Sequence, residues 1–201
     1  MPSIRNNFLY KTLLTISSYI IGFITFPYVS RVLGVDGIGA VNFTDNTVGY
    51  FILFASMGIA ILGTREIAAA KDDQTKRNRV FSNLLGLNIL FTVITLIIYL
   101  GIIVLVPRFS QNAEMFYIGA AKIIATVFLI EWFFTGLEEF RFITLRSIAI
   151  KLLYVVAVFT LIDDKSDYKL YFTLSVASVI INALVNIVYA RKFVKINRQA
   201  L

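Results

Sequence analysis

The sequence predicts an all-α membrane protein, a bundle of six transmembrane helices, and three observations carry that prediction. The 201 residues are 58% hydrophobic and 15% charged, with a mean hydropathy of +0.80. A soluble domain carries about 25% charged and 45–50% apolar residues. Four uncharged runs, 12–30, 46–64, 80–107 and 170–190, hold 19, 19, 28 and 21 residues. A helix needs roughly 20 apolar residues to cross a hydrocarbon core about 30 Å thick. The lysines and arginines, finally, collect between the runs in a pattern that fixes a direction for each crossing.

Taken in order, the first span covers 12–30 and ends at Arg31, with Pro27 as a candidate hinge because proline removes a helical hydrogen bond. It follows a short basic N-terminus but has no A-x-A-like cleavage site, so it reads as an uncleaved first helix. The second span covers 42–64 and the third 80–107. The fourth, 115–137, is apolar apart from Lys122 and Glu131. The fifth, 142–162, contains Arg146 and Lys151, which are expected to snorkel to the membrane surface on their apolar stems. The sixth covers 170–190, and the intervening loop 64–79 reads as a solvated helix or turn. The six spans form one lobe occupying residues 1–201.

Cytoplasmic loops are enriched in Lys and Arg. With the N-terminus inside, fourteen of the nineteen cations fall on inner segments and four on outer ones, Lys122 being the remaining one. Both termini are therefore expected in the cytoplasm. This distribution also accounts for the net charge of +7 without nucleic acid, which requires a basic patch on a folded face. Cysteine and histidine are absent, which removes thiolate and imidazole metal ligands and the usual general base. No phosphate-binding glycine loop is present. No cofactor, metal or enzymatic activity is expected.

Several spans carry a polar stripe. Thr15, Ser18, Gly22 and Thr25 recur on the first, Asn42, Asp45, Asn46, Gly49, Ser56 and Gly63 on the second, Asn88, Thr92, Thr95 and Tyr99 on the third, and Ser175, Ser178, Asn182, Asn186 and Tyr189 on the sixth. Small and hydroxylated residues at such spacing are the usual packing surface of membrane helices. The carboxamides and Asp45 need more, since hydrocarbon satisfies none of their polar groups. Arg31, Asn42, Asp45, Lys122, Asn182 and Asn186 are the candidates to face a hydrated cavity. Lys122 either snorkels outward or points into that cavity. Glu131, nine residues on, lies about half a turn away in helical phase, so the two do not pair directly. Glu138 falls on the face of Glu131, and both flank an aromatic stretch expected at the interface.

Phe26-Pro27-Tyr28, Arg31-Val32-Leu33-Gly34 and Gly37-Ile38-Gly39 resemble the end of the first helix in bacterial polysaccharide flippases. Gly58-Ile59 and Gly63-Thr64-Arg65-Glu66-Ile67 resemble the end of their second. Glu131-Trp132-Phe133-Phe134, Gly136-Leu137-Glu138, Ile143-Thr144, Arg146-Ser147 and Lys151 are similar to their cytoplasmic junction of fourth and fifth helices. The resemblance is to Wzx-type flippases of the multidrug/oligosaccharidyl-lipid/polysaccharide exporter superfamily, with Glu131 where that family often has Asp. It implies one six-helix lobe of a protein of twelve or more helices in the bacterial cytoplasmic membrane. It further implies transport of undecaprenyl-diphosphate-linked oligosaccharide for O-antigen or capsule, with membrane lipids, a second transporter half and the polysaccharide polymerase machinery as partners. A cation-coupled drug exporter of the same superfamily and a non-transporting membrane remnant are the alternatives.

Overall fold

A computed structural model of the chain describes residues 4–110 and 113–194. Lys195 and Arg198, counted above among the inner cations, fall outside the described residues. The described residues form α1 (Ile4–Ser56), α2 (Ile59–Ala69), α3 (Gln74–Leu105), the short α4 (Pro107–Ser110), α5 (Ala113–Thr126), α6 (Glu131–Gly136), α7 (Phe140–Leu161), a 3₁₀ turn (Lys165–Asp167) and α8 (Tyr168–Ala190). They contain no strand.

Five segments are long and apolar enough to cross a membrane, and the first of them is 52 residues long. At 1.5 Å per residue such a helix extends roughly 80 Å, more than twice the hydrocarbon thickness. Gly34 divides it. Its φ of 68° and ψ of −176° lie in a region that only glycine occupies without strain, and they turn the chain between two rods. Pro27, the hinge candidate, lies within continuous helix, and the break in α1 falls seven residues later, at Gly34.

Contacts between helices give their directions. The Thr144 hydroxyl donates to the Tyr10 carbonyl (3.0 Å), Lys151 to the Ser18 hydroxyl, and the Tyr28 hydroxyl to the Ile162 carbonyl (2.7 Å), so the first rod of α1 runs parallel to α7. Phe43 meets Phe116 and Asp45 meets Lys122, making the second rod parallel to α5. Tyr99 reaches the carbonyl of Phe116 and Asn88 that of Val127, which sets α3 antiparallel to α5. Lys169 pairs with Glu114 and Asn186 reaches Phe128, placing α8 parallel to α5. Successive apolar lengths thus alternate in direction. One end of the bundle gathers Arg65, Lys71, Arg77, Arg141 and Lys192; Arg31, Arg108, Lys165 and Lys169 lie at the other.

The burial pattern is that of a membrane bundle. Phe23, Ile61, Ile97 and Val188 stand exposed, whereas Asn88, Thr92, Thr95, Arg146 and Asn186 are buried. The expected stripe of α3 is the inner face: Asn88, Thr92, Thr95 and Tyr99 are all buried. Apolar clusters fill the rest of the interior, the largest around Phe133, Phe134, Ile67 and Phe81. The predicted loop after the second span is short, because α2 continues to Ala69 and the Asp73 carboxylate caps α3 by accepting from the Lys76 amide at 3.0 Å.

Candidate functional site

The fourth apolar length is not one helix. α5 stops at Thr126 and α6 begins at Glu131, with no proline or glycine between them. Within an apolar slab, freed backbone groups must find partners inside the protein. The side-chain amides of Asn88 and Asn186 donate to the carbonyls of Val127 (3.4 Å) and Phe128 (3.3 Å). Two buried asparagines from α3 and α8 therefore hold the break open and satisfy it.

Beside the break lies a charged network. The Arg146 side chain is 3% exposed and donates to a Glu131 carboxylate oxygen at 2.6 Å. It also donates to the Asn186 side-chain oxygen and to the Ser147 hydroxyl, and its plane lies near the Phe142 ring, 5.5 Å from the centroid. Its Nε has no hydrogen-bond partner among the described residues. Lys151, one turn and a half further along α7, donates to Ser18 and lies within electrostatic reach of Glu131. The Glu131 side chain is 53% exposed and opens onto a groove of about 490 Å³ lined by Thr15, Ser18, Ser147, Lys151 and Asn182.

A second ion pair sits nearer the other end. The Lys122 ammonium donates to Asp45 at 2.5 Å, tying α5 to the second rod of α1. Tyr154 lies within reach of both Asp45 and Tyr171. The second apolar length is also interrupted, by Met57 (φ 38°) and Gly58 (φ 75°) between α1 and α2. The half-helices below the two breaks, α2 and α6, pack closely. A Cβ at Gly63 would meet the Trp132 ring at 2.5 Å, and one at Gly136 would meet the Ile67 Cβ at 2.8 Å and the Thr64 carbonyl at 2.9 Å. At the basic end, Lys71 pairs with Glu138 at 2.9 Å while Arg77 donates to the carbonyls of Lys71 (2.6 Å) and Phe193 (3.1 Å).

The predicted residues thus divide into groups. Glu131, Arg146, Lys151 and Asn186 form one network, with Asn182 on the same groove, although its amide donates only to Ser178 in its own helix (2.9 Å). Asp45 and Lys122 form the second pair. Trp132 and Gly136 are packing residues of α2 and α6. Arg31 and Asn42 are exposed and form no side-chain hydrogen bond or ion pair among the described residues. Three expectations are corrected. Arg146 does not snorkel to a surface, because Glu131 and Asn186 hold it inside. The Glu131 carboxylate is part of that network as well as adjoining an aromatic stretch. Glu138 does not share its helical face, since α6 ends at Gly136 and Glu138 itself has a φ of 62°. Glu131 and Lys122 do not pair, although the reason is their separate partners, Arg146 and Asp45, and not helical phase, since the helix is broken between them. Sequence reasoning passed over Asn88 as a partner for the break; its place on a polar stripe was the available signal.

Alternating apolar helices, a polar interior, interrupted helices and ion pairs between them define a multi-pass membrane protein. The family model described as "Polysaccharide biosynthesis protein" matches residues 4–200, and the chain belongs to that family. It is 30% identical over 165 residues to an Escherichia coli (strain K12) protein named "Putative O-antigen transporter", covering 82% of this chain and 40% of that protein. A Shigella dysenteriae protein of the same name is 24% identical over 188 residues, covering 94% of this chain and 47% of that protein. The chain therefore spans less than half the length of these relatives. No solved structure matches it at a significant level.

Proposed function

We propose that this chain is one lobe of a flippase that carries lipid-linked oligosaccharide, of the undecaprenyl-diphosphate class, across the bacterial cytoplasmic membrane for surface polysaccharide assembly. The observation that carries this reading is the groove beside the broken fourth helix, lined by Glu131 and Lys151, with the buried Arg146 paired to Glu131 behind it. Guanidinium and ammonium groups at such a place suit a diphosphate, and the uncharged polar groups of Ser18 and Asn182 suit sugar hydroxyls. The family match and the names of the two relatives support the same substrate class.

In this reading the chain crosses the membrane six times, Gly34 marking the turn between the first two crossings. Both ends lie in the cytoplasm, in line with the basic end of the bundle. A second lobe completes the cavity, the lipid tail stays in the bilayer, and membrane lipids and polymerase machinery are its neighbours. A cation-coupled drug exporter would need carboxylates free to take a cation, and Asp45 and Glu131 are held by Lys122 and Arg146.

Deletion of the gene tests the proposal. Loss of surface polysaccharide with unchanged drug resistance is the expected result, restored by the full-length gene. Unchanged polysaccharide with sensitisation to drugs would support the exporter instead, and no change in either would support a non-transporting remnant.

A further inference from the structure

The charge arrangement around Glu131 is more specific than a cationic groove. The Arg146 guanidinium is buried, yet it faces a carboxylate that is half exposed, and its Nε has no acceptor among the described residues. Lys151 lines the same groove as that carboxylate, its ammonium donating to Ser18. One carboxylate thus answers the buried guanidinium, a second cation lies along the groove, and one guanidinium donor is left over. A phosphate-type dianion carries more charge and more acceptor oxygens than a carboxylate, and a guanidinium fork matches it with two parallel bonds.

Glu131 is also placed where it is able to leave. It is the first residue of α6, and its amide is held by the Leu129 carbonyl at 2.8 Å, so leaving requires rotation of the side chain alone. That side chain opens onto the groove, while Arg146 lies behind it and lines the neighbouring groove beside Phe142 and Tyr189, so the guanidinium meets this groove where Glu131 stands.

Resting on the flippase reading, we infer that Glu131 is an internal substitute for the ligand: a phosphate-type dianion entering the groove takes its place on Arg146 and Lys151. Without ligand, Glu131 neutralises the buried arginine and spares the bundle an unpaired charge. With ligand, the exchange keeps Arg146 paired throughout, so no step leaves a bare cation inside the membrane.

Trp132, the single tryptophan of this chain, lies next to Glu131 and packs on Gly63, so the part of the full-length protein's emission that Trp132→Phe removes reports the exchange. The full-length protein in phosphatidylcholine nanodiscs is titrated with inorganic pyrophosphate and with a short prenyl diphosphate, binding being read by calorimetry and by Trp132 emission. Wild type is expected to show a saturable emission change that chloride does not reproduce. Glu131→Gln removes the competitor and binds roughly tenfold tighter, while Arg146→Lys, which keeps the charge but not the fork, binds at least about tenfold more weakly. Circular dichroism checks that each variant is folded. No saturable binding to wild type or Glu131→Gln overturns the inference. Glu131→Gln binding no tighter than wild type, or Arg146→Lys binding equally well, also overturns it. A response confined to nanodiscs containing phosphatidate assigns the anion to the bilayer surface and overturns the groove site. Restored surface polysaccharide with a failed titration removes only this inference, whereas a successful titration without restoration removes the flippase reading.

Discussion

Lys122 of α5 donates to Asp45 of α1 at 2.5 Å across 77 residues of sequence, with the lysine largely buried and the aspartate half exposed. A lysine in the middle of an apolar helix is costly unless it is paired. Here the pairing fixes the rotational setting of α5 against the second rod of α1, and Val48 packs into the space left by Gly119 on the same interface.

Removing either partner strands the other. Lys122→Met and Asp45→Asn are each expected to destabilise the protein by about 1–3 kcal/mol, with the double variant costing less than the sum. Thermal unfolding in detergent, followed by circular dichroism, measures the coupling. Additive losses would mean that the pair contributes nothing.

Gly34 and Pro27 make opposite predictions. Gly34→Ala forces an L-residue to φ 68° and ψ −176°, at a cost of about 1–3 kcal/mol, although no neighbour lies within 4 Å of the added Cβ. Pro27→Ala leaves the turn in place and is expected to cost less. The unfolding temperatures of the two variants, compared in one detergent, rank the positions.

The contact between α2 and α6 depends on two hydrogens in place of methyl groups. Gly136→Ala drives a Cβ against the Thr64 carbonyl and Ile67 Cβ, and Gly63→Ala drives one into the Trp132 ring. Each is expected to cost roughly 1–3 kcal/mol from overpacking, and both should shift Trp132 emission. Gly22→Ala, with nothing within 4 Å, serves as the control and should leave both readings unchanged.

Asn88 and Asn186 should matter far more than Asn182. Replacing either of the first two with Leu orphans a carbonyl in the break, worth about 1–3 kcal/mol each. Asn182→Leu loses only a bond within its own helix and is expected to be nearly neutral for folding. Hydrogen exchange of the amides from 127 to 131 would report the same order directly.

Apolar length is a local property, so the third, fifth and sixth runs were legible as α3, α7 and α8, whereas the second and fourth are interrupted at 57–58 and 127–130. The polar stripe of α3 was legible for the same reason, as helical spacing puts Asn88, Thr92 and Thr95 on one face. Pairings were not. Helical phase assumed a continuous helix between Lys122 and Glu131, which the break removes, and it holds no information about Asp45, which lies on another helix. The burial of Arg146 escaped because snorkelling and internal pairing demand the same residue at the same depth, and only the positions of Glu131 and Asn186 decide between them. The interruption before Glu131 has no proline or glycine to announce it, since it is held by asparagines from other helices. Gly34 stood in a visible motif, yet Pro27 was the more conspicuous breaker.

The central claim concerns movement of a lipid-linked glycan between leaflets. Its most direct test is the accessibility of the lipid-linked repeat unit to a membrane-impermeant reagent at the outer face of the cytoplasmic membrane. Cells carrying the full-length gene should label the glycan lipid, and cells lacking it should accumulate the same lipid unlabelled on the inner leaflet. Equal labelling in the two strains, with total lipid-linked glycan unchanged, would contradict the account.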